Sequence, residues 1–261
     1  MRLPQSSSNF VDFCEATSWL KMTMDRSFRS WRRFLKLGGF YVGLGVCLGG
    51  AVRAEVSAAA KADALFAQSS AWPMLAEWIF DRSSELAGLV SIDPVQGGGP
   101  IGLLPGVSLV ADSRAPGGKA VVFDGTQKNW AGTTVLIPAK ENLYLDLRFF
   151  ATADGPERQT LLKLSRGPEI RLNQKSATVE LIAWTVDKKW TSVRLPYVAD
   201  EWSALRASIV DGVLTLEING EVAVGRMPEG KLEVGPSRVF LGYYSERTFK
   251  GAIAYLSLRS P

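Results

Sequence analysis

Leu205-Arg206-Ala207-Ser208-Ile209-Val210-Asp211-Gly212-Val213-Leu214-Thr215-Leu216-Glu217-Ile218-Asn219-Gly220 is the stretch that decides the fold class. Leu205, Ala207 and Ile209 lead into Asp211-Gly212, and Leu214, Leu216 and Ile218 lead into Asn219-Gly220. A period of two is that of a strand with one buried face. Asp-Gly and Asn-Gly suit two-residue hairpin turns, whose central residues need positive φ that Gly and Asn tolerate. The stretch therefore predicts strand, turn, strand, turn.

The same signature spreads outward. Leu143, Leu145, Leu147 and Phe149 alternate with Tyr144, Asp146, Arg148 and Phe150, and residues 119–123 run into Asp124-Gly125. Residues 178–186 and 190–195 flank Asp187-Lys188-Lys189, a hairpin; 239–243 and 252–258 supply the final strands. Trp78-Ile79-Phe80 is the first strand, and the Gly97-Gly98-Gly99-Pro100 and Leu104-Pro105-Gly106 runs mark loops. Turn signals about every 8–12 residues indicate a sandwich or barrel. No helix-length apolar stripe separates the strands, which argues against a parallel α/β sheet. The expected class is all-β.

Charge and cysteine divide the 261 residues in two. Residues 1–54 hold eight Lys or Arg, three acids and both cysteines, Cys14 and Cys47. Residues 55–261 carry 22 basic and 23 acidic side chains, a net charge of −1, and no thiol. The basicity thus belongs to the leader, and the body is no polyanion binder by composition, so no nucleic acid is expected as partner. The chain has no histidine. Ser-His-Asp and Cys-His catalysis are excluded, as are thiolate and imidazole metal sites in the body.

From Met24, the preferred start, the leader reads as a secretory signal. Arg26, Arg29, Arg32, Arg33 and Lys36 form a basic region, 37–50 are apolar, and Val52-Arg53-Ala54 offers small residues at a cleavage site. Arg32-Arg33-Phe34 loosely resembles a twin-arginine motif and Leu44-Gly45-Val46-Cys47 a lipoprotein box, each imperfectly. The expectation is export to the periplasm, cell surface or exterior, with cleavage after Ala54 and no membrane anchor afterwards. Residues 55–74 read as a linker or short helix, and 75–261 as the sandwich.

Four stretches, 201–221, 239–242, 249–253 and 118–125, carry a family resemblance. Glu201-Trp202, Leu205-Arg206-Ala207, Val210-Asp211-Gly212 and Leu214 to Glu221 are similar to the core of laminin-G-like domains, in the concanavalin A-like superfamily. Val239-Phe240-Leu241-Gly242, Phe249-Lys250-Gly251-Ala252-Ile253 and the upstream Gly118-Lys119-Ala120-Val121-Val122-Phe123-Asp124-Gly125 resemble its neighbouring strands. The resemblance implies a two-sheet antiparallel jelly roll, with Trp202 as the family's core tryptophan. It implies no single activity, since the fold hosts lectins, adhesion modules and glucanases. Many bacterial members have an acidic pair where this chain has Ala254-Tyr255, so a family calcium site is unsupported and no cofactor is expected.

A glucanase on this fold needs carboxylates spaced Glu-x-Asp-x-x-Glu, and no such triplet occurs. Asp81, Glu85, Glu217 and Glu221 read as solvated acids. Alternation places Val179, Leu181 and Ala183 on the core face of the 178–195 hairpin. Glu180, Ile182 and Trp184 then share the outer face with Trp190, Ser192 and Arg194. Trp184, Trp190, Arg194 and Glu180 are candidates for a sugar platform, with Trp130 and Tyr243-Tyr244 as secondary candidates. A cross-strand aromatic pair that only stabilises the sheet is the competing reading. The chain is accordingly expected to be an exported, non-enzymatic module binding carbohydrate or cell-surface glycan. The alternatives are a glycosidase or polysaccharide lyase on the same scaffold, and a module that binds a protein partner.

Overall fold

A computed structural model describes residues 60–261, apart from 87, 88, 127, 128 and 245. The expected signal region lies outside these described residues. In chain order the strands are β1 (Met74–Ile79), β2 (Ser83–Leu86), β3 (Leu89–Ile92), β4 (Gln96–Gly97), β5 (Ile101–Leu103), β6 (Val107–Ala111) and β7 (Lys119–Asp124). They continue as β8 (Ala131–Thr133), β9 (Leu143–Ala151), β10 (Arg158–Leu164), β11 (Glu169–Asn173), β12 (Thr178–Trp184), β13 (Trp190–Pro196), β14 (Trp202–Val210) and β15 (Val213–Ile218). The last are β16 (Glu221–Arg226), β17 (Val239–Leu241), β18 (Tyr243–Tyr244), β19 (Arg247–Thr248) and β20 (Lys250–Arg259).

They form two antiparallel sheets and one small ribbon. The first sheet runs β16-β15-β14-β9-β20-β1-β4, with β7 and then β6 added along the other part of β20. The second runs β13-β12-β11-β10-β17-β8-β5-β3-β2, and β18-β19 form the ribbon. The expected all-β sandwich is what the chain adopts. Both hairpin turns have the backbone their residues predict: Asp211 and Gly212 take φ 49 and 73, Asn219 and Gly220 take φ 49 and 91. Strands β2 to β6 occupy the Gly/Pro-rich stretch read as loop; at two to five residues each they are too short to show a period.

The core forms between the sheets from alternate positions. Leu143, Leu145, Leu147 and Phe149 of β9, Leu205, Ala207 and Ile209 of β14, and Leu214, Leu216 and Ile218 of β15 face Ile170, Leu172, Val179, Leu181 and Ala183 of the second sheet. Trp78 is buried among them, its Nε1 donating to the Gly99 carbonyl at 3.0 Å, which satisfies the one polar atom of an otherwise apolar anchor.

Trp202 is placed differently from its family assignment. It sits half-buried on the outer face of the first sheet, beside Phe150 (ring centroids 6.0 Å apart) and a small alanine cluster. Its Nε1 donates to Asp112 Oδ2 at 3.3 Å. The alternation explains this: Leu205, Ala207 and Ile209 point inward, so Trp202, three positions before Leu205, falls on the opposite face.

A helix at 60–70 covers another part of the same outer face. Phe66 meets Tyr144 edge-on at 6.3 Å, and the Arg206 guanidinium lies 5.0 Å from the Phe66 ring centroid. No helix among the described residues is long and apolar enough to cross a membrane. The outer face of the second sheet is left to carry the site.

Candidate functional site

The β12–β13 hairpin puts four of the expected residues on one surface. Its register pairs Glu180 with Arg194 and Trp184 with Trp190, and turns Val179, Leu181 and Ala183 into the core. A groove of about 500 Å³ runs over this outer face, and Glu180, Trp184, Trp190 and Arg194 all line it. Asn173, Ser176 and Thr178 supply neutral hydrogen-bonding groups along it. Arg158 of β10, Arg171 of β11 and Arg247 of the ribbon complete its basic side.

The floor beneath those arginines is a buried ion-pair network. Glu169 is fully buried, yet Arg171 donates to it through Nε (2.7 Å) and Nη2 (2.9 Å), Thr160 Oγ1 at 2.8 Å, and Arg247 Nη2 at 3.3 Å. Arg247 Nε donates to Thr160 Oγ1 at 3.3 Å as well. A buried carboxylate needs such saturation, because an unpaired charge in this setting is costly to desolvate. The network fixes two guanidiniums at the groove and ties the ribbon to the sheet.

Trp184 is held by cations. Lys163 Nζ lies 4.2 Å above its ring centroid, and the Arg171 guanidinium lies 5.7 Å away, both within cation–π range. Lys163 is itself buried, its Nζ donating to the Gly167 carbonyl at 2.7 Å, and burial lowers its pKa to about 8. Tyr244 also lies beside Lys163, 5.5 Å from Nζ to ring centroid. A second pocket, about 240 Å³, opens here between Lys163, Glu169, Arg171, Trp184, Lys188 and Tyr244. Trp184 and Arg171 belong to both cavities. Trp190 is 59% exposed, so its indole face is open to a ligand rather than used in packing.

Glu180 is gripped by Arg194 through Nε and Nη2, each 2.6 Å from Oε1. It is the one carboxylate in the lining of the larger groove. Among the described residues no group of three or more His, Cys, Asp or Glu side chains comes together as a metal site. At the position marked by Ala254-Tyr255, Ala254 belongs to the alanine cluster and Tyr255 Oη donates to Glu77 Oε1 at 2.9 Å.

The secondary candidates stand apart from the groove. Trp130 packs edge-on against Phe240 at 5.3 Å, and Phe240 lies 6.4 Å from Tyr244. Tyr243 pairs with Thr248 across the ribbon, and its neighbour Tyr244 is the tyrosine that reaches a pocket. Sequence reasoning missed Arg158, Lys163, Glu169, Arg171 and Arg247. The signal for three of them is polar residues set alternately into apolar runs, as in Leu162-Lys163-Leu164 and Glu169-Ile170-Arg171-Leu172.

No protein-family model matches the chain, and no curated protein does. Solved structures do resemble it in fold. The botulinum neurotoxin serotype D binding domain aligns at TM-score 0.53 and 11% identity over 72% of this chain and 48% of the other. The binding domain of Paraclostridial Mosquitocidal Protein 1 gives 0.53 and 10%, over 71% and 48%. The binding domain of botulinum neurotoxin DC, solved in complex with SialylT, gives 0.54 and 8%, over 71% and 47%. The chain thus spans about half the length of the solved structures it matches, and at such identities the likeness concerns the sandwich alone.

Proposed function

We propose that the protein is an exported carbohydrate-binding module of the laminin-G-like kind, and that it holds its ligand in the groove over β10 to β13. The observation that carries this reading is the pair Trp184 and Trp190, set in register on one wall of a groove whose lining is otherwise mostly hydrogen-bonding and charged, with Leu172 and Ile182 the apolar exceptions. An indole face matches the apolar face of a pyranose ring, while Asn173, Ser176, Thr178 and the arginines suit its hydroxyls. A protein-docking surface would present a wide apolar patch instead. The fold likeness to solved binding domains supports a binding role, and export rests on the leader sequence.

Hydrolysis fits less well. Glycosidases flank the scissile bond with two carboxyl groups about 5–9 Å apart. The larger groove has Glu180 alone in its lining, already ion-paired to Arg194.

A glycan array probed with the full chain tests the reading. Binding to one or more saccharides is expected, and Trp184→Ala with Trp190→Ala together should abolish it. Binding that survives the double substitution would remove the platform. Cell fractionation with N-terminal sequencing tests export, the expected mature terminus following Ala54.

A further inference from the structure

We infer that the saccharide is anionic, an inference that rests on the carbohydrate reading above and adds its charge. Residues 55–261 as a whole carry a net charge of −1, so nothing in their composition favours an acidic ligand. The groove departs from that average. Arg158, Arg171, Arg194 and Arg247 line it against Glu180 alone. Counting Glu169 beneath the floor still leaves an excess of two positive charges.

The arginines also differ in how they are held. Arg171 and Arg247 are fixed through Nε and Nη2 by Glu169 and Thr160, which leaves Nη1 of each as the donor for a ligand. Arg194 is held on Glu180 in the same way. Among the described residues Arg158 has no carboxylate within ion-pair distance. A set of guanidiniums oriented before binding, with one left uncompensated, suits a carboxylate or sulfate on the sugar, because planar N–H forks match such oxygens and little ordering remains to be done. The ring of that sugar would lie on Trp184, and its neighbour would extend toward Trp190 or toward the Lys163 pocket, which shares Trp184 and Arg171 with the groove.

The test is an array in which uronate, sialylated and sulfated glycans each stand beside a neutral counterpart, with a single-stranded oligonucleotide as a non-sugar polyanion. The acidic member of at least one pair should bind at least tenfold more tightly than its neutral partner. The pair that responds tells carboxylate from sulfate. Affinity should fall several-fold between about 0.05 and 0.3 M salt, as screening shortens the reach of the groove's charge. Arg158→Gln should weaken binding of the acidic member of a pair by about three- to tenfold more than that of its neutral counterpart, and leave thermal unfolding unchanged. Neutral glycans binding as tightly as acidic ones, in a manner abolished by the double tryptophan substitution, would overturn the inference and leave the carbohydrate reading standing. An oligonucleotide binding as tightly as the best glycan would overturn it too, reducing the groove to a general cationic patch. Failure of every glycan would overturn both.

Discussion

Glu169→Gln is the substitution most diagnostic of how the groove is built. Gln has the shape of Glu but no charge, and it offers one acceptor oxygen where two carboxylate oxygens now receive donors from Thr160, Arg171 and Arg247. Its amide nitrogen must face at least one guanidinium N–H. Breaking a buried pair from one side costs about 3–5 kcal/mol. Arg171 and Arg247 keep 27% and 26% side-chain exposure, so solvent compensates part of that loss and reduces it to about 2–3 kcal/mol. For a body of this size about 1 kcal/mol moves Tm by roughly 2–4 °C, so Tm should fall by roughly 5–10 °C. Urea unfolding of both proteins gives the free energy directly. Because Arg247 anchors the ribbon, amide exchange in β18 and β19 should quicken more than in β12. Adding Arg171→Met should recover part of the loss, as a coupled pair does. A change under about 1 kcal/mol, with ribbon exchange unaltered, would refute the idea that Glu169 organises this floor.

Three further outcomes follow from the same structure. Lys163 binds its proton less tightly folded than unfolded, since burial lowers its pKa from 10.5 to about 8. The unfolded state therefore holds more protons between those values, and stability should rise with pH from about 8 to 10.5, by on the order of 2–3 kcal/mol relative to a Lys163→Met reference measured in parallel; a pH-independent difference between the two would sink this. Gly242 has φ 80, and a Cβ there would overlap the Phe123 ring, so Gly242→Ala should cost about 2–5 kcal/mol and show as poor soluble yield and a lowered urea midpoint. Trp190→Ala should change stability by under about 0.5 kcal/mol because the side chain is mostly exposed. Trp184→Ala should cost more, through its lost contacts with Lys163 and Arg171, and equal costs would mean that Trp190 is a packing residue.

The legible parts of this fold are those where period and turn chemistry agree. Strands β9, β14 and β15 alternate cleanly, and Asp211-Gly212 and Asn219-Gly220 leave the chain few other turns to make. The hairpin of β12 and β13 was readable for the same reason, and with it the outward set Glu180, Trp184, Trp190 and Arg194. Strands β10 and β11 were not, because Thr160, Lys163 and Glu169 are buried despite their polarity. Their burial depends on partners elsewhere in the chain: Arg247 lies 78 residues from Glu169. A one-dimensional pattern carries no sign of such pairings. Trp202 shows the converse, since a motif can identify a tryptophan without saying which face of its strand it occupies.

Strand β20 joins β9 on one side and both β7 and β1 on the other, and its Tyr255 reaches Glu77 across 178 residues of chain. Closing a loop of that length precedes any gain from the contact, which slows folding. During synthesis β1 can pair only with the two-residue β4 until β20 has been made. Until then Trp78 and Phe149 have no finished core to enter, and the parts of the first sheet that β20 joins, β9 with β14 to β16, β6 with β7, and β1 with β4, stay separate. The last strand to be made is thus the one that closes the sheet.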